Sequence, residues 1–122
     1  MIDPSLFENM RLPGGFRIVR IEISSAPLVD ALGRKAFART RIIGRNFEIA
    51  IRSGLSDEEF SVTLYHEILE AAAVACADPP VSVLDFNEGS FERTAYSAHE
   101  QFGAASVENL SLMLQSYGFQ EH

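Results

Sequence analysis

The stretch between Ser56 and Pro80 constrains the fold more than any other part of the sequence, because both ends of a long helix are marked in it. Ser56 is followed three residues later by Glu59, which is the spacing of a capping box, and the first turn is acidic. Pro79 and Pro80 cannot continue a helix, since proline lacks the N–H and clashes with the preceding turn. The pattern therefore predicts a helix over residues 57–77. Its core-facing stripe consists of Phe60, Leu64, Ile68, Ala71 and Ala75.

The sequence ahead of this helix is typical of β-strands. Residues 16–23 alternate between apolar and polar side chains with one slip at Val19-Arg20, which predicts a strand with a bulge. Residues 40–43 and 46–52 predict a hairpin whose second strand is half-buried. Residues 1–15 are expected to be irregular, and residues 28–38 predict a short helix or an irregular segment.

Two shorter helical patterns follow the long helix. After a short strand or packed loop at 81–86 and a turn at 87–89, apolar residues recur at helical spacing from Ser90 to Gly103. Ser106 is a candidate cap for a continuation that ends at Gly118. The order of elements predicts an α+β fold, in which a small antiparallel sheet packs on a helical layer. A chain of 122 residues, 47% of them hydrophobic, is expected to form one domain over residues 1–122.

Composition narrows the classes of function. A net charge of −7 makes nonspecific nucleic-acid binding unexpected. The single cysteine, Cys76, excludes an internal disulfide framework. No apolar run is long enough for a membrane span, and the first ten residues lack the features of a signal peptide. We therefore expect a cytoplasmic protein without a membrane segment, and the sequence leaves its oligomeric state open.

Charge is distributed unevenly along the chain. Residues 1–52 carry nine basic and five acidic side chains, whereas residues 53–122 carry one basic and twelve acidic ones. Two interpretations are open: the two halves pack beside each other, or the excess carboxylates serve a cation. The basic residues of the 34–45 stretch could hold an acidic partner or a nucleic acid, although such runs are more often a solvated face.

The predicted long helix contains the string His66-Glu67-Ile68-Leu69-Glu70. At about 100° per residue, His66 and Glu70 lie about 40° apart on successive turns, so they can bind one cation together. A His–Glu pair at this spacing also commonly decorates an exposed helix face, and that simpler interpretation stays open.

His99 is the candidate third ligand, because it shares the inward face of its predicted helix with Ala95 and Phe102. Its neighbour Glu100 is a rival, since one helix rotation decides between the two. His66, Glu70 and His99 would form a set that zinc accepts, with a fourth position left for water. Glu67 could then take a proton from that water as the general base. A lone histidine on an apolar face is, however, more often a core histidine.

Residues 63–71 read Thr-Leu-Tyr-His-Glu-Ile-Leu-Glu-Ala and resemble the active-site helix of zincin-type metallopeptidases. They are closest to small bacterial and phage proteins that also have a preceding strand, similar to residues 47–51, and a later helix opened by a histidine. His99 matches that histidine, and the resemblance spans about residues 40–119. It implies a zincin-like fold, with a small antiparallel sheet on a long H-E-x-x-E helix and a C-terminal helix.

The resemblance also implies an activity and a set of roles. It assigns His66, Glu70 and His99 as metal ligands and Glu67 as the general base of a minimal metallopeptidase that acts on a peptide or protein substrate. Glu70 stands where better-known zincins carry a second histidine, so Mn, Fe or Ca are alternatives to zinc. The alternative function is a non-catalytic interaction or regulatory protein that keeps the fold, since a 122-residue zincin has little room for a substrate cleft.

Overall fold

The computed structural model describes residues 2–29, 33 and 35–119. Within this part of the chain, the strands are β1 Met10–Leu12, β2 Phe16–Ser24, β3 Leu28–Val29, β4 Lys35–Ala36, β5 Ala38–Ile43 and β6 Asn46–Arg52. The helices are α1 Asp57–Ala75, α2 Glu88–Phe102 and α3 Val107–Ser116. Short 3-10 turns lie at Pro4–Phe7, Pro13–Gly15 and Val81–Val83. These elements confirm the α+β class.

The main sheet is mixed, which corrects the prediction of an antiparallel sheet. Its strand order is β1-β2-β6-β5, and the two outer pairs are antiparallel. The central pair, β2 with β6, is parallel, with Ile21 opposite Ile49. Ser24 at the end of β2 and Phe37 just before β5 both accept backbone hydrogen bonds from the end of β6, so β5 begins where β2 stops and runs in the opposite direction. The hairpin then returns β6 in the direction of β2. Alternation of apolar residues indicates the buried face of a strand but not its direction.

The predicted bulge in β2 is confirmed. The register against β6 shifts between Ile18 and Arg20. Buried positions accordingly change phase, from Phe16 and Ile18 before the shift to Ile21 after it. The slip in the sequence pattern is the one-residue insertion that a bulge accommodates.

Two segments differ from their predictions. Residues 1–15, expected to be irregular, contribute the edge strand β1, which is held to the core by the buried side chains of Phe7 and Leu12. In the 28–38 segment, β3 and β4 pair antiparallel instead of forming a helix, with Leu28 opposite Ala36. Gly33, with a φ of +79°, lies between them in a conformation that suits a turn. Residues 30–32 and 34 of this segment lie outside the described residues.

The three helices begin and end where the sequence predicts, within about two residues. Both hydrogen bonds of the capping box at Ser56 and Glu59 are present. α2 begins two residues earlier than predicted, because Asn87 accepts the Ser90 N–H and caps it. Ser106 caps α3. Of the two glycines predicted as helix ends, Gly103 has a φ of 91° and Gly118 one of 100°, conformations that favour glycine.

Helix α1 is the centre of the core. It contacts β5 and β6 on one side and α2 and α3 on the other. The predicted stripe is buried except for Ala75, which is half-buried, and a second buried row consists of Tyr65, Leu69 and Ala72. Only a narrow strip of α1 remains partly open, and this strip carries the H-E-x-x-E string. Among the helices of the described segments, none combines the length and apolar character needed to cross a bilayer.

Candidate metal centre

His66, Glu67 and Glu70 form a compact group on the open strip of α1. One ligand atom from each of the three lies within 4.8 Å of the others, and all three residues are half-buried. The Nε2 atom of His66 lies 3.3 Å from Oε2 of Glu70, as expected for residues one turn apart. The structure therefore brings together the three site residues that the sequence places on this helix.

Glu88 is a fourth member that the sequence analysis missed. Its Oε2 atom lies 3.3 Å from Nε2 of His66, although its side chain is 71% exposed. Residues 87–89 were interpreted as a turn, whereas Asn87 is the N-cap of α2 and Glu88 is the first helical residue. An acidic residue directly after an asparagine cap was the available signal, because the first turn of a helix favours negative charge.

His99 lies outside this cluster. Its Nδ1 atom is 2.8 Å from the hydroxyl of Ser61, which is completely buried and also accepts the Ala105 N–H at 2.8 Å. The ring of Phe91 stacks on His66 at 6.2 Å, and His99 is about 12 Å further along α2 by the rise of the helix. The geometry does not place His99 as the third ligand. It places this residue in the structural role that the sequence left open.

Glu100, the rival third ligand, is exposed at the same end of α2. The group of potential ligands found among the described residues consists of His66, Glu67 and Glu70. Glu100 lies about 18 Å beyond Glu88 along α2 by the rise of the helix. The carboxylate that approaches His66 and Glu70 from α2 is that of Glu88.

Replacement of Ser61 by alanine should test the structural role of the Ser61–His99 contact. The change removes the acceptor of the buried Ala105 N–H, so we expect the free energy of unfolding to fall by about 1–3 kcal/mol in urea titrations. Cation affinity should not change, because Ser61 contacts the end of α2 away from His66. A loss of cation affinity without a loss of stability would instead place His99 near the ligands.

Glu67 is held between α1 and the sheet. The hydroxyl of Thr40, an inward-facing residue of β5, donates to its Oε1 at 3.2 Å. Burial raises the pKa of Glu67 to about 7, and the negative charge of Glu70 acts in the same direction, while His66 and the Thr40 hydrogen bond oppose it. A carboxyl with this pKa exchanges protons near neutral pH, as a general base must. Sequence alternation placed Thr40 on a strand but did not show which helix residue it faces.

The other groups of the cluster share protons. Burial favours neutral His66, but the hydrogen bond to Glu70 and the surrounding carboxylates raise the pKa of His66 overall. The hydrogen bond from His66 lowers the pKa of Glu70. The hydrogen bond to Glu70 and burial raise the pKa of Glu88, which must keep a proton in order to donate it. The carboxyl groups of Glu67, Glu70 and Glu88 surround the single imidazole of His66. If all three were ionised, their negative charge would exceed the positive charge of His66, and bound protons or a cation would have to compensate the difference.

The cluster opens into a groove of about 880 Å³ between the sheet edge and the helices. One side is formed by residues 35–40 and the other by side chains of α1 and α2. β5 is the outermost strand on this side of the sheet, and no backbone hydrogen bond crosses its outer edge within the described chain. The described chain therefore contains a groove beside the cluster despite its short length.

Comparison with protein-family models, with characterised proteins and with solved structures finds no match. The resemblance to zincins therefore rests on the residues of the chain itself, chiefly residues 63–71.

Proposed function

We propose that this protein is a metal-dependent hydrolase of the zincin-like type and that its substrates are peptides. The observation that carries the proposal is the position of one imidazole nitrogen, Nε2 of His66, at 3.3 Å from carboxylate oxygens of both Glu70 and Glu88. Glu67 lies beside them, and a groove leads to the group.

The donor atoms fit a divalent cation. Two ligand atoms that each bond to zinc at about 2.1 Å with tetrahedral angles lie about 3.4 Å apart. The observed separations of 3.3 Å from His66 to Glu70 and Glu88 match this spacing. One nitrogen and two oxygens suit zinc and also suit harder cations such as Mn²⁺, so Glu88 replaces His99 in the proposed ligand set.

Glu67 is the proposed general base. When bound, the cation would supply Lewis-acid polarisation of a carbonyl and of water. Glu67 is placed to accept the proton that water loses on attack and to deliver it to the departing amine. The Thr40 hydroxyl occupies one oxygen of Glu67 and fixes the orientation of the carboxyl group. Its other oxygen is left for the proton.

The outer edge of β5 supports a peptide as the substrate. Ala38, Arg39 and Thr40 line the groove, and Thr40 contacts Glu67 directly. An extended peptide can add to such an edge through main-chain hydrogen bonds, which brings its backbone carbonyls past the base.

Titration of the cation-free protein with zinc in a calorimeter tests the ligand set. We expect about one zinc per chain, with an affinity that falls about tenfold or more in Glu70→Gln and Glu88→Gln. Glu100→Gln is the matched control, because it makes the same change at an exposed position of the same helix. His99→Gln should also bind normally. No zinc binding, or equal binding by Glu88→Gln and Glu100→Gln, would contradict the assignment.

The outer face of the sheet favours a second candidate, an interaction protein without catalytic activity. Three arginines and two glutamates line a depression of about 430 Å³, namely Arg20, Arg39, Arg41, Glu22 and Glu48, and Arg41 pairs with Glu48 at 3.8 Å. An acidic protein would complement this face. Zinc bound at one equivalent without cleavage of any peptide in a proteome-derived mixture would select this candidate over the hydrolase.

A further inference from the structure

One wall of the groove is a row of side chains on α2. Glu88, Glu92 and Tyr96 are spaced four residues apart and all line the groove, so they lie along one edge of the helix. The row begins at the cluster, because Glu88 contacts His66. The rise of the helix places Glu92 about 6 Å and Tyr96 about 12 Å beyond Glu88.

These separations correspond to residue positions of a bound peptide. An extended chain advances about 3.3 Å per residue, so Glu92 lies about two residues and Tyr96 about four residues from the cluster. Residues 35–40 form the opposite wall. A peptide that lies in the groove and runs along α2 would therefore present side chains to Glu92 and Tyr96 in turn.

The chemistry of this row favours a cationic side chain. Glu92 makes no hydrogen bond or ion pair with any residue in the described ranges, so its charge is available to a ligand. Glu59, which also lines the groove, is engaged in the cap of α1. Tyr96 is 51% exposed and offers a ring face that attracts lysine or arginine. Lys35 and Arg39 carry positive charge on the other wall, so a basic side chain is attracted only on the α2 side of the groove.

We propose that the groove selects peptides with a lysine or arginine two to four residues from the cleaved bond. Glu92 and Tyr96 would hold this basic side chain. The inference rests on the proposed function, because it places the cleaved bond at the cluster. The aliphatic part of the basic side chain would lie against the Tyr96 ring, while its charged end would pair with the Glu92 carboxylate. Lys35 and Arg39, on the opposite wall, would repel the basic side chain and attract an acidic one, so the preference depends on the peptide side chain lying against α2.

Binding of fluorescein-labelled decapeptides measures this preference without cleavage. Three peptides of one uncharged sequence, differing by a central Lys, Gln or Glu, are titrated with the zinc-loaded Glu67→Gln protein at low salt, and anisotropy is recorded. We expect the Lys peptide to bind about fivefold more tightly than the Gln peptide and the Glu peptide to bind most weakly. Wild-type protein should show the same order in KM, with kcat little changed.

Substitutions of Glu92 and Tyr96 test whether these two residues cause the preference for the Lys peptide. Glu92→Gln should bring the Lys and Gln peptides to equal affinity, Glu92→Lys should reverse their order, and Tyr96→Ala should weaken the Lys peptide about threefold. Glu100→Gln, exposed on the same helix and away from the groove, should preserve the preference. Equal affinity for all three peptides, tighter binding of the Glu peptide, or equal effects of Glu92→Gln and Glu100→Gln would overturn the inference.

The two proposals fail in different ways. Zinc binding without any hydrolysis contradicts the proposed function and leaves the binding preference standing. Failure to bind zinc also contradicts the proposed function, and the same peptide titration with the cation-free protein then measures the preference. Hydrolysis that ignores the central residue supports the proposed function and overturns the preference.

Discussion

Replacement of Glu67 by glutamine is expected to lower kcat for peptide hydrolysis by about a hundredfold or more and to leave zinc bound at one equivalent. Glutamine has nearly the same shape as glutamate, and its amide oxygen can still accept the Thr40 hydroxyl. It cannot accept a proton from the attacking water. The variant therefore removes the proposed base and keeps the proposed ligands.

The measurement is the rate of new peptide ends in a proteome-derived peptide mixture, followed by mass spectrometry with zinc-loaded protein. Glu100→Gln serves as the control for the loss of one carboxylate from an exposed site. Thr40→Val, which removes the hydroxyl that positions Glu67, should lower kcat less than Glu67→Gln and shift the acidic limb of the pH profile. Wild-type rates in Glu67→Gln would show that the base is another group. Loss of zinc would show that Glu67 is itself a ligand, which its place in the cluster allows.

The part of the site that lies on α1 could be predicted from the sequence because its geometry is local. The capping box and the two prolines fix the ends of the helix, and the helical period fixes the relation of His66 to Glu70. Both the ends of the helix and the relation of His66 to Glu70 follow from residues of the helix itself, whatever packs against it. The same locality explains why the caps of the later helices were predicted at Ser106 and Gly103.

The residues of other elements that contact the α1 cluster could not be predicted from local sequence patterns. Glu88 and His99 are eleven residues apart, so they lie about 20° from each other on one face of α2 but about 16 Å apart along its axis. The packing of α2 against α1 decides which of these two residues lies level with His66. The interpretation of residue 87 as part of a turn instead of an N-cap removed Glu88 from consideration. Buried Ser61 then provides the contact that engages His99.

Sheet direction and the outer strands also depend on distant contacts. The alternation in β2 and β6 predicts their buried faces equally well for parallel and antiparallel pairing. Strands β1, β3 and β4 have two or three residues each, too short for a period to be recognised. These strands form by pairing with other segments of the chain, and their own short sequences do not indicate which segments those are.

Without a cation, the protein should be more stable toward unfolding at pH 5 than at pH 8, and Glu67→Gln should remove most of this difference. In the folded protein the pKa of Glu67 is about 7, against an ordinary value of 4.5. Between these values the folded state holds more protons than the unfolded state, so the free energy of unfolding falls as pH rises. The contribution is fully present below 4.5 and lost above 7, and it amounts to on the order of 3 kcal/mol.

The neighbouring groups set the limits of this window. His66, whose pKa is raised, contributes stability below its ordinary value of 6.5 that is lost as pH rises through its folded value, so it acts in the same direction as Glu67. Glu70, whose pKa is lowered, acts in the opposite direction, but its contribution is lost only as pH falls below its ordinary 4.5. Glu88, whose pKa is also raised, acts in the same direction as Glu67. From pH 5 to pH 8 the groups with raised pKa therefore dominate.

Urea unfolding in EDTA at each pH unit from 5 to 8 measures the difference between wild type and Glu67→Gln, with Glu100→Gln as the reference for an exposed carboxylate. The variant should match wild type at pH 5 and exceed its free energy of unfolding at pH 8. Zinc should reverse the pH trend of the wild type, because the ligands bind a cation only when deprotonated and binding stabilises the folded state. A difference between wild type and Glu67→Gln that does not change with pH would mean that Glu67 titrates normally in the folded protein.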